Sequence, residues 1–200
     1  DEVRAFWQHS FITALLSERL ARGVRYSQPE QAYLGGLLHD IGALPLLTYL
    51  RDEEPGDALV IEAGPADSTS WEQKFFGLDH CELGYKIGTL WHFPLPLIEV
   101  FKYHHEPEKG TQDRTLLGLV AAADRIVRKW GVGFGIASPK LEIVDKSEYD
   151  AILHECLPEL DSEARGKILE SIAGEFQDLI QMLESGSLGL FTVPRRANAS

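Results

Sequence analysis

Seven residues could carry chemistry together: His9, His39, Asp40, His80, His104, His105 and Asp124. Imidazole nitrogens and carboxylate oxygens suit divalent iron, manganese, zinc or nickel. His39 and Asp40 are adjacent, at the end of the apolar run Gly35-Gly36-Leu37-Leu38-His39-Asp40-Ile41-Gly42. One such pair is a weak signal. Seven ligand-type residues spread over several helical segments are a stronger one, because helices can converge distant side chains on one pocket.

Each candidate also has a plain reading. His9 alone is more often a hydrogen-bonded core histidine than a ligand. Asp40 could cap the turn at Gly42, but a carboxylate near a helix C-terminus opposes the macrodipole, and a neighbouring cation would remove that conflict. Asp124 sits in Leu119-Val120-Ala121-Ala122-Ala123-Asp124-Arg125-Ile126-Val127. On the buried side of that helix it must be paired or metal-bound; the plain alternatives are exposure or a salt bridge to Arg125 or Arg128. His80 would begin a helix, where a neutral imidazole is tolerated. His104 and His105 are neighbours about 100° apart on a helix, so both serve one site only if it is wide enough for two metals. Cys81 beside His80 hints weakly at zinc, without a Cys-x-x-Cys to support it. His92 and His154 have no ligand neighbourhood.

The elements that must position these residues read as helices nearly throughout. From Val3 to Ala21 the residues Trp7, Phe11, Ala14 and Leu15 recur at helical spacing, with His9 on a neighbouring stripe with Ile12 and Leu16. Gly23 ends this helix. Ser27 and Glu30 have capping-box spacing, with Pro29 in the first turn of a second helix running to about Asp40. Residues 51–70 read as a polar, breaker-rich connection with a helical turn near Ala58–Glu62. Trp71–Phe76 is a short amphipathic piece. Asp79 caps the next helix, with Glu82 three residues on; Pro94 and Pro96 close it and open another, whose inner stripe is Leu97, Val100, Phe101 and His104. Helices follow over about Thr115–Trp130, Ser147–Leu157 and Ser162–Glu184. No repeat and no alternating strand pattern is present. The fold class is all-α, with Trp7, Phe11, Leu37, Leu38, Ile87, Leu90, Trp91, Leu97, Phe101, Leu119 and Val120 expected in the core.

Two hundred residues with an apolar fraction of 44% can bury a real core, and fit one domain or one domain with a small appendage. A formal charge of −12 argues against a general nucleic-acid or anionic-membrane surface, which relies on clustered Lys and Arg. Cys81 and Cys156 make no disulfide framework, and no apolar run reaches a membrane span. A cytoplasmic location is the expectation. The chain starts with Asp1 inside a helical pattern, as a piece of a longer protein would.

The order His9, His39-Asp40, Asp124 on an all-helical frame resembles the HD superfamily of metal-dependent phosphohydrolases. The finer texture is similar to the HDOD domains, bacterial signalling modules related to that superfamily. The matching stretches are Phe6-Trp7-Gln8-His9-Ser10, Leu34 to Gly42, Gly77-Leu78-Asp79-His80-Cys81-Glu82-Leu83-Gly84, Leu90-Trp91-His92-Phe93-Pro94, Tyr103-His104-His105-Glu106-Pro107 and Ala121-Ala122-Ala123-Asp124. The resemblance covers roughly residues 3–135 and implies an HD-like core over residues 1–135; the pattern beyond it reads as a helical extension over 136–190 and a frayed tail over 191–200. It implies metal ligation by His9, His39, Asp40 and Asp124, with Asp40 able to bridge two ions and to be the catalytic carboxylate of any turnover. His80, His104 and His105 match the extra ligands of the two-metal HD-GYP branch. One or two divalent transition-metal ions follow, iron first, with manganese, zinc or nickel as the other candidates. Two departures stand out. Catalytic relatives often carry Ile-Gly-Lys after the doublet, whereas this chain has Ile41-Gly42-Ala43; and no Gly-Tyr-Pro run follows the histidine pair. The expected function is a regulatory module with weak or no turnover, its partner a signalling protein or a small phosphorylated ligand. The alternative is an active phosphohydrolase or phosphodiesterase.

Overall fold

The computed structural model describes residues 2–52, 68–133 and 146–171. Among them the elements are α1 (Glu2–Gly23), α2 (Pro29–Leu38), α3 (Ala43–Asp52), α4 (Ser68–Phe76), α5 (His80–Leu90), α6 (Leu95–Tyr103), a 3-10 turn (Pro107–Lys109), α7 (Arg114–Lys129) and α8 (Lys146–Cys156). Residues 162–171 are helical as well, and no strand occurs among the described residues. The all-α expectation holds. No helix of the described residues is long and apolar enough to cross a membrane.

The central element is α7. Every residue from Leu116 to Asp124 is buried, with Ile126, Val127 and Trp130. A helix apolar on nearly all sides must be surrounded, and α1, α2, α6 and α8 pack around it. Asp113 caps it, accepting the Leu116 N–H at 2.9 Å, while Tyr26 Oη donates to the other Asp113 oxygen at 2.7 Å. The cap therefore also ties α7 to the connection between α1 and α2. Ile152, Leu153, Cys156, Leu157, Ile168 and Leu169 join the same core.

Several expectations need correction. The inner face of α1 carries Phe6, His9, Ile12, Thr13, Leu16 and Leu20, whereas Trp7 is 37% exposed and Phe11 only half-buried. The stripe holding His9 is thus the core stripe. No capping box forms at Ser27 and Glu30: the N-cap of α2 is Gln28, which makes no side-chain cap bond. This helix buries its small residues, Ala32, Gly35 and Gly36, and leaves Leu37 and Leu38 at the edge of the core. Ile87 is half-buried, and Leu90 and Trp91 are 73% and 61% exposed, because α5 turns Cys81, Gly84 and Gly88 inward. Leu97, Phe101, Leu119 and Val120 are buried as expected. Helix α3 has no clear sequence signal, since Pro45 reads as a breaker; here it lies in the first turn, where its missing N–H has no intrahelical role. The turn expected at Ala58–Glu62 and the helix beyond residue 171 lie outside the described residues.

Candidate metal centre

All seven candidate ligands meet in one place. His9 comes from the middle of α1, His39 and Asp40 from the turn after α2, and His80 from the first residue of α5. His104 caps the C-terminus of α6, His105 follows it, and Asp124 lies on α7. Two glycines set this convergence. A Cβ on Gly36 would fall 2.7 Å from Ser17 Oγ and 2.8 Å from both the Thr13 oxygen and Ala14 Cα. Only glycine lets α2 lie this close on α1, and the contact brings His39 Nε2 to 3.2 Å from His9 Nε2. A Cβ on Gly42 would overlap the His80 carbonyl oxygen. The turn after Asp40 therefore presses on the start of α5, whose N-cap Asp79 accepts the Glu82 N–H at 2.8 Å.

The imidazoles are held from outside. Nδ1 of His9 faces the Val132 carbonyl at 3.0 Å, Nδ1 of His39 faces the Gly36 carbonyl at 2.7 Å, and Nδ1 of His104 faces the Val100 carbonyl at 3.0 Å. Nδ1 of His80 faces Glu72 Oε2 at 2.7 Å, and the His80 backbone N–H donates to the same oxygen at 2.7 Å. Carbonyls and carboxylates only accept, so each Nδ1 carries the hydrogen and each Nε2 is directed inward. This is how metal-ligating histidines are fixed.

Inside, the Nε2 atoms face one another and two carboxylates. His80 Nε2 lies 3.4 Å from His104 Nε2 and 3.1 Å from His105 Nε2. Asp40 spans the centre. Its Oδ2 lies 3.3 Å from His39 Nε2 and 3.6 Å from His9 Nε2, and its Oδ1 lies 3.3 Å from His80 Nε2 and 3.2 Å from His104 Nε2. Asp124 Oδ1 lies 3.0 Å from His9 Nε2 and 3.5 Å from His39 Nε2. One half is therefore His9, His39 and Asp124, the other His80, His104 and His105, with Asp40 reaching both. Asp40 Oδ1 and Asp124 Oδ2 are buried with no hydrogen-bond partner. Such orphans are costly, and a divalent cation between the Nε2 atoms would satisfy Asp40 Oδ1, which lies 3.3 Å from His80 Nε2 and 3.2 Å from His104 Nε2. The donor set thus fits one or two such ions.

Charge within the centre follows the same logic. Burial pushes His39 and His104 down. Asp40 outweighs it at His39, and Cys81 with Asp40 does so at His104, so both rings rise to about 9. Burial lowers His9, and lowers His105 to about 2. Burial would raise Asp40 and Asp124. The His39 ring and its neighbours hold Asp40 well below the usual carboxylate range, as Arg128 with His39 and His9 does Asp124. Arg128 is the fixed positive charge that faces both carboxylates.

Sequence reasoning misses two residues here. Glu72 orients His80 from eight positions upstream, a spacing with no signature. Arg128 reads from sequence only as a plain salt-bridge partner of Asp124. Its Nε lies 2.7 Å from Asp124 Oδ1 and its Nη2 3.3 Å from Asp40 Oδ2, so it braces both carboxylates. The i,i+4 spacing from Asp124 is the available signal. Arg125 instead pairs with Glu155 at 2.7 Å and donates to the His105 carbonyl at 3.2 Å.

An HDOD domain model matches residues 1–107. This chain belongs to the HDOD domain family. The match takes in six of the seven candidate ligands, and Asp124 lies beyond it. No curated protein matches. Among solved structures, the chain is similar to an HDOD domain protein of unknown function from Geobacter sulfurreducens, with TM-score 0.64, 19% identity, and 90% of this chain and 62% of that one covered. It is also similar to a protein proposed as a phosphohydrolase from Shewanella amazonensis SB2B, with TM-score 0.64, 23% identity, and 91% and 63% covered. The chain thus spans just over three fifths of each, and at these identities the likeness is one of fold.

Proposed function

We propose that this HDOD domain is a regulatory module built around a buried divalent-metal centre, working by binding rather than by turnover. Its partner is a signalling protein or a small phosphorylated ligand. One observation carries this reading. The side chains of His9, His39, Asp40, His80, His104 and Asp124 have no solvent exposure; only His105, at 28%, and Arg128, at 26%, reach the surface. A catalytic metal keeps a position open to water or substrate, whereas a structural site is closed. Ala43 is buried and supplies no cation for a phosphate.

The second reading, a metal-dependent phosphohydrolase, has one observation in its favour. Arg128, whose Nε and Nη2 hold Asp124 and Asp40, adds a positive charge at the rim, 26% exposed, that would favour an anionic phosphate. A bound divalent ion would supply Lewis acidity there. Iron or manganese suits the nitrogen and oxygen ligands of His9, His39 and Asp124.

Metal-replete protein is expected to hold at least one equivalent of transition metal. It should hydrolyse phosphodiesters, cyclic dinucleotides and mononucleotides negligibly. Turnover above about 1 per second, abolished by Asp40→Ala, would transfer the conclusion to the phosphohydrolase. Absence of metal after both chelator-free purification and reconstitution would remove the centre from either reading.

A further inference from the structure

Cys81 is the one residue at the centre that neither reading uses. It follows His80 in the first turn of α5, is buried, and is a free thiol. Its Sγ lies 3.9 Å from His104 Nε2. One ligand atom each from His80, Cys81, His104 and His105 lie within 4.8 Å of one another.

We propose that Cys81 Sγ is a metal ligand, and that the half of the centre containing it takes zinc while the half formed by His9, His39 and Asp124 does not require it. This rests on the metal-centre reading above and specifies its second subsite. Three spacings within this group lie near those of zinc ligands. Zinc–nitrogen bonds of about 2.0–2.1 Å and a zinc–sulfur bond of about 2.3 Å put neighbouring nitrogens about 3.4 Å apart and nitrogen and sulfur about 3.6 Å apart. The distances here are 3.4 Å for His80 to His104, 3.1 Å for His80 to His105, and 3.9 Å for Cys81 to His104.

An independent observation points to a cation at the same spot. Asp40 Oδ1, buried and without a hydrogen-bond partner, is aimed into this half, 3.2 Å from His104 Nε2 and 3.3 Å from His80 Nε2. The sulfur sets the preference, since thiolate favours zinc over manganese or magnesium in a way that imidazole and carboxylate alone do not. On binding, the Sγ–H bond breaks, its electron pair forms the Sγ–Zn bond, and the proton leaves to buffer; no oxidation state changes. The competing account is a buried cysteine acting as a small apolar side chain.

The test uses the whole chain, stripped of metal and reloaded with cobalt(II) or with zinc. A thiolate-to-cobalt charge-transfer band in the near ultraviolet is expected, together with one sulfur at about 2.3 Å in zinc-edge X-ray absorption. Cys81→Ser should abolish the band and weaken zinc binding by at least the roughly 10–100-fold typical of losing an outer-sphere partner. Cys156→Ala, altering the other thiol in α8, should keep it. Cobalt taken up with d–d bands but no thiolate band, or a zinc shell of nitrogen and oxygen alone, overturns the assignment and leaves the metal centre standing. No uptake of either ion overturns the metal centre itself. The absorption edge of the unsubstituted chain decides between the two accounts even if Cys81→Ser does not fold.

Discussion

Replacing Arg128 by Met should destabilise the metal-free protein far more than the metal-loaded one. Met keeps the apolar stem and removes the guanidinium that braces Asp124 at 2.7 Å and Asp40 at 3.3 Å. Charges about 4 Å apart in an effective dielectric of about 20 attract by about 4 kcal/mol, so the two pairs are worth about 8 kcal/mol before desolvation is deducted. Removing one partner of a buried ion pair costs about 3–5 kcal/mol. Arg128 retains 26% exposure, which places the expected loss near the lower end, about 3 kcal/mol. A divalent ion in the centre would take over the same carboxylates. The guanidinium then faces another cation, and its removal should cost no more than an exposed pair, about 0–1 kcal/mol. The stabilisation conferred by metal should therefore grow by about 2–3 kcal/mol, equivalent to roughly 30- to 150-fold tighter binding. Urea unfolding with chelator and with saturating metal, at unchanged m-value, reads the first quantity, and calorimetric titration reads the second. Equal destabilisation in both states, or weaker metal binding, would refute the view that arginine and metal neutralise the same two carboxylates.

Three further outcomes follow from particular contacts. Glu72→Ala removes the acceptor of His80 Nδ1–H and should weaken metal binding at the His80 half by roughly 10–100-fold, while the His9 half keeps its affinity; unchanged two-site titration would show that Glu72 orients nothing. Gly36→Ala forces a methyl against the backbone of α1. It should cost about 1–3 kcal/mol and reduce metal occupancy, because the His9–His39 approach opens; a variant with native stability and metal content would contradict that. Burial would raise the Glu99 carboxyl, but N–H groups of Gln112 and Thr111 and the Thr111 hydroxyl outweigh it and hold it below its ordinary 4.5. Its contribution is then present above the unfolded value and lost as pH falls through the lower folded one, so Glu99→Gln should lower thermal stability at neutral pH and lose that deficit in acid. A deficit independent of pH would contradict the assignment.

The sequence by itself determined the helical class, because apolar spacing near 3.6 residues and the cap at Asp79 are local properties of the chain. It also determined the candidate ligands. Buried His and Asp are rare unless paired or coordinating, so their chemistry shows wherever an apolar pattern surrounds them, as at Asp124. Family texture joined them into one ordered set. The tertiary structure alone decided which face of α1 is inside. Trp7-Phe11-Leu15 and Phe6-Ile12-Leu16 are both apolar stripes, and only the packing of α2 and α7 against α1 chooses the second, carrying His9 in with it. Leu90 and Trp91 mislead for the same reason: apolar character does not say which side of a helix meets a neighbour. Glu72, the reach of Arg128 across to Asp40 and the placement of Cys81 were likewise beyond reach. Hydrogen bonds and charge pairs between separate elements depend on distances of a few ångströms across the fold, and no spacing along the chain encodes them.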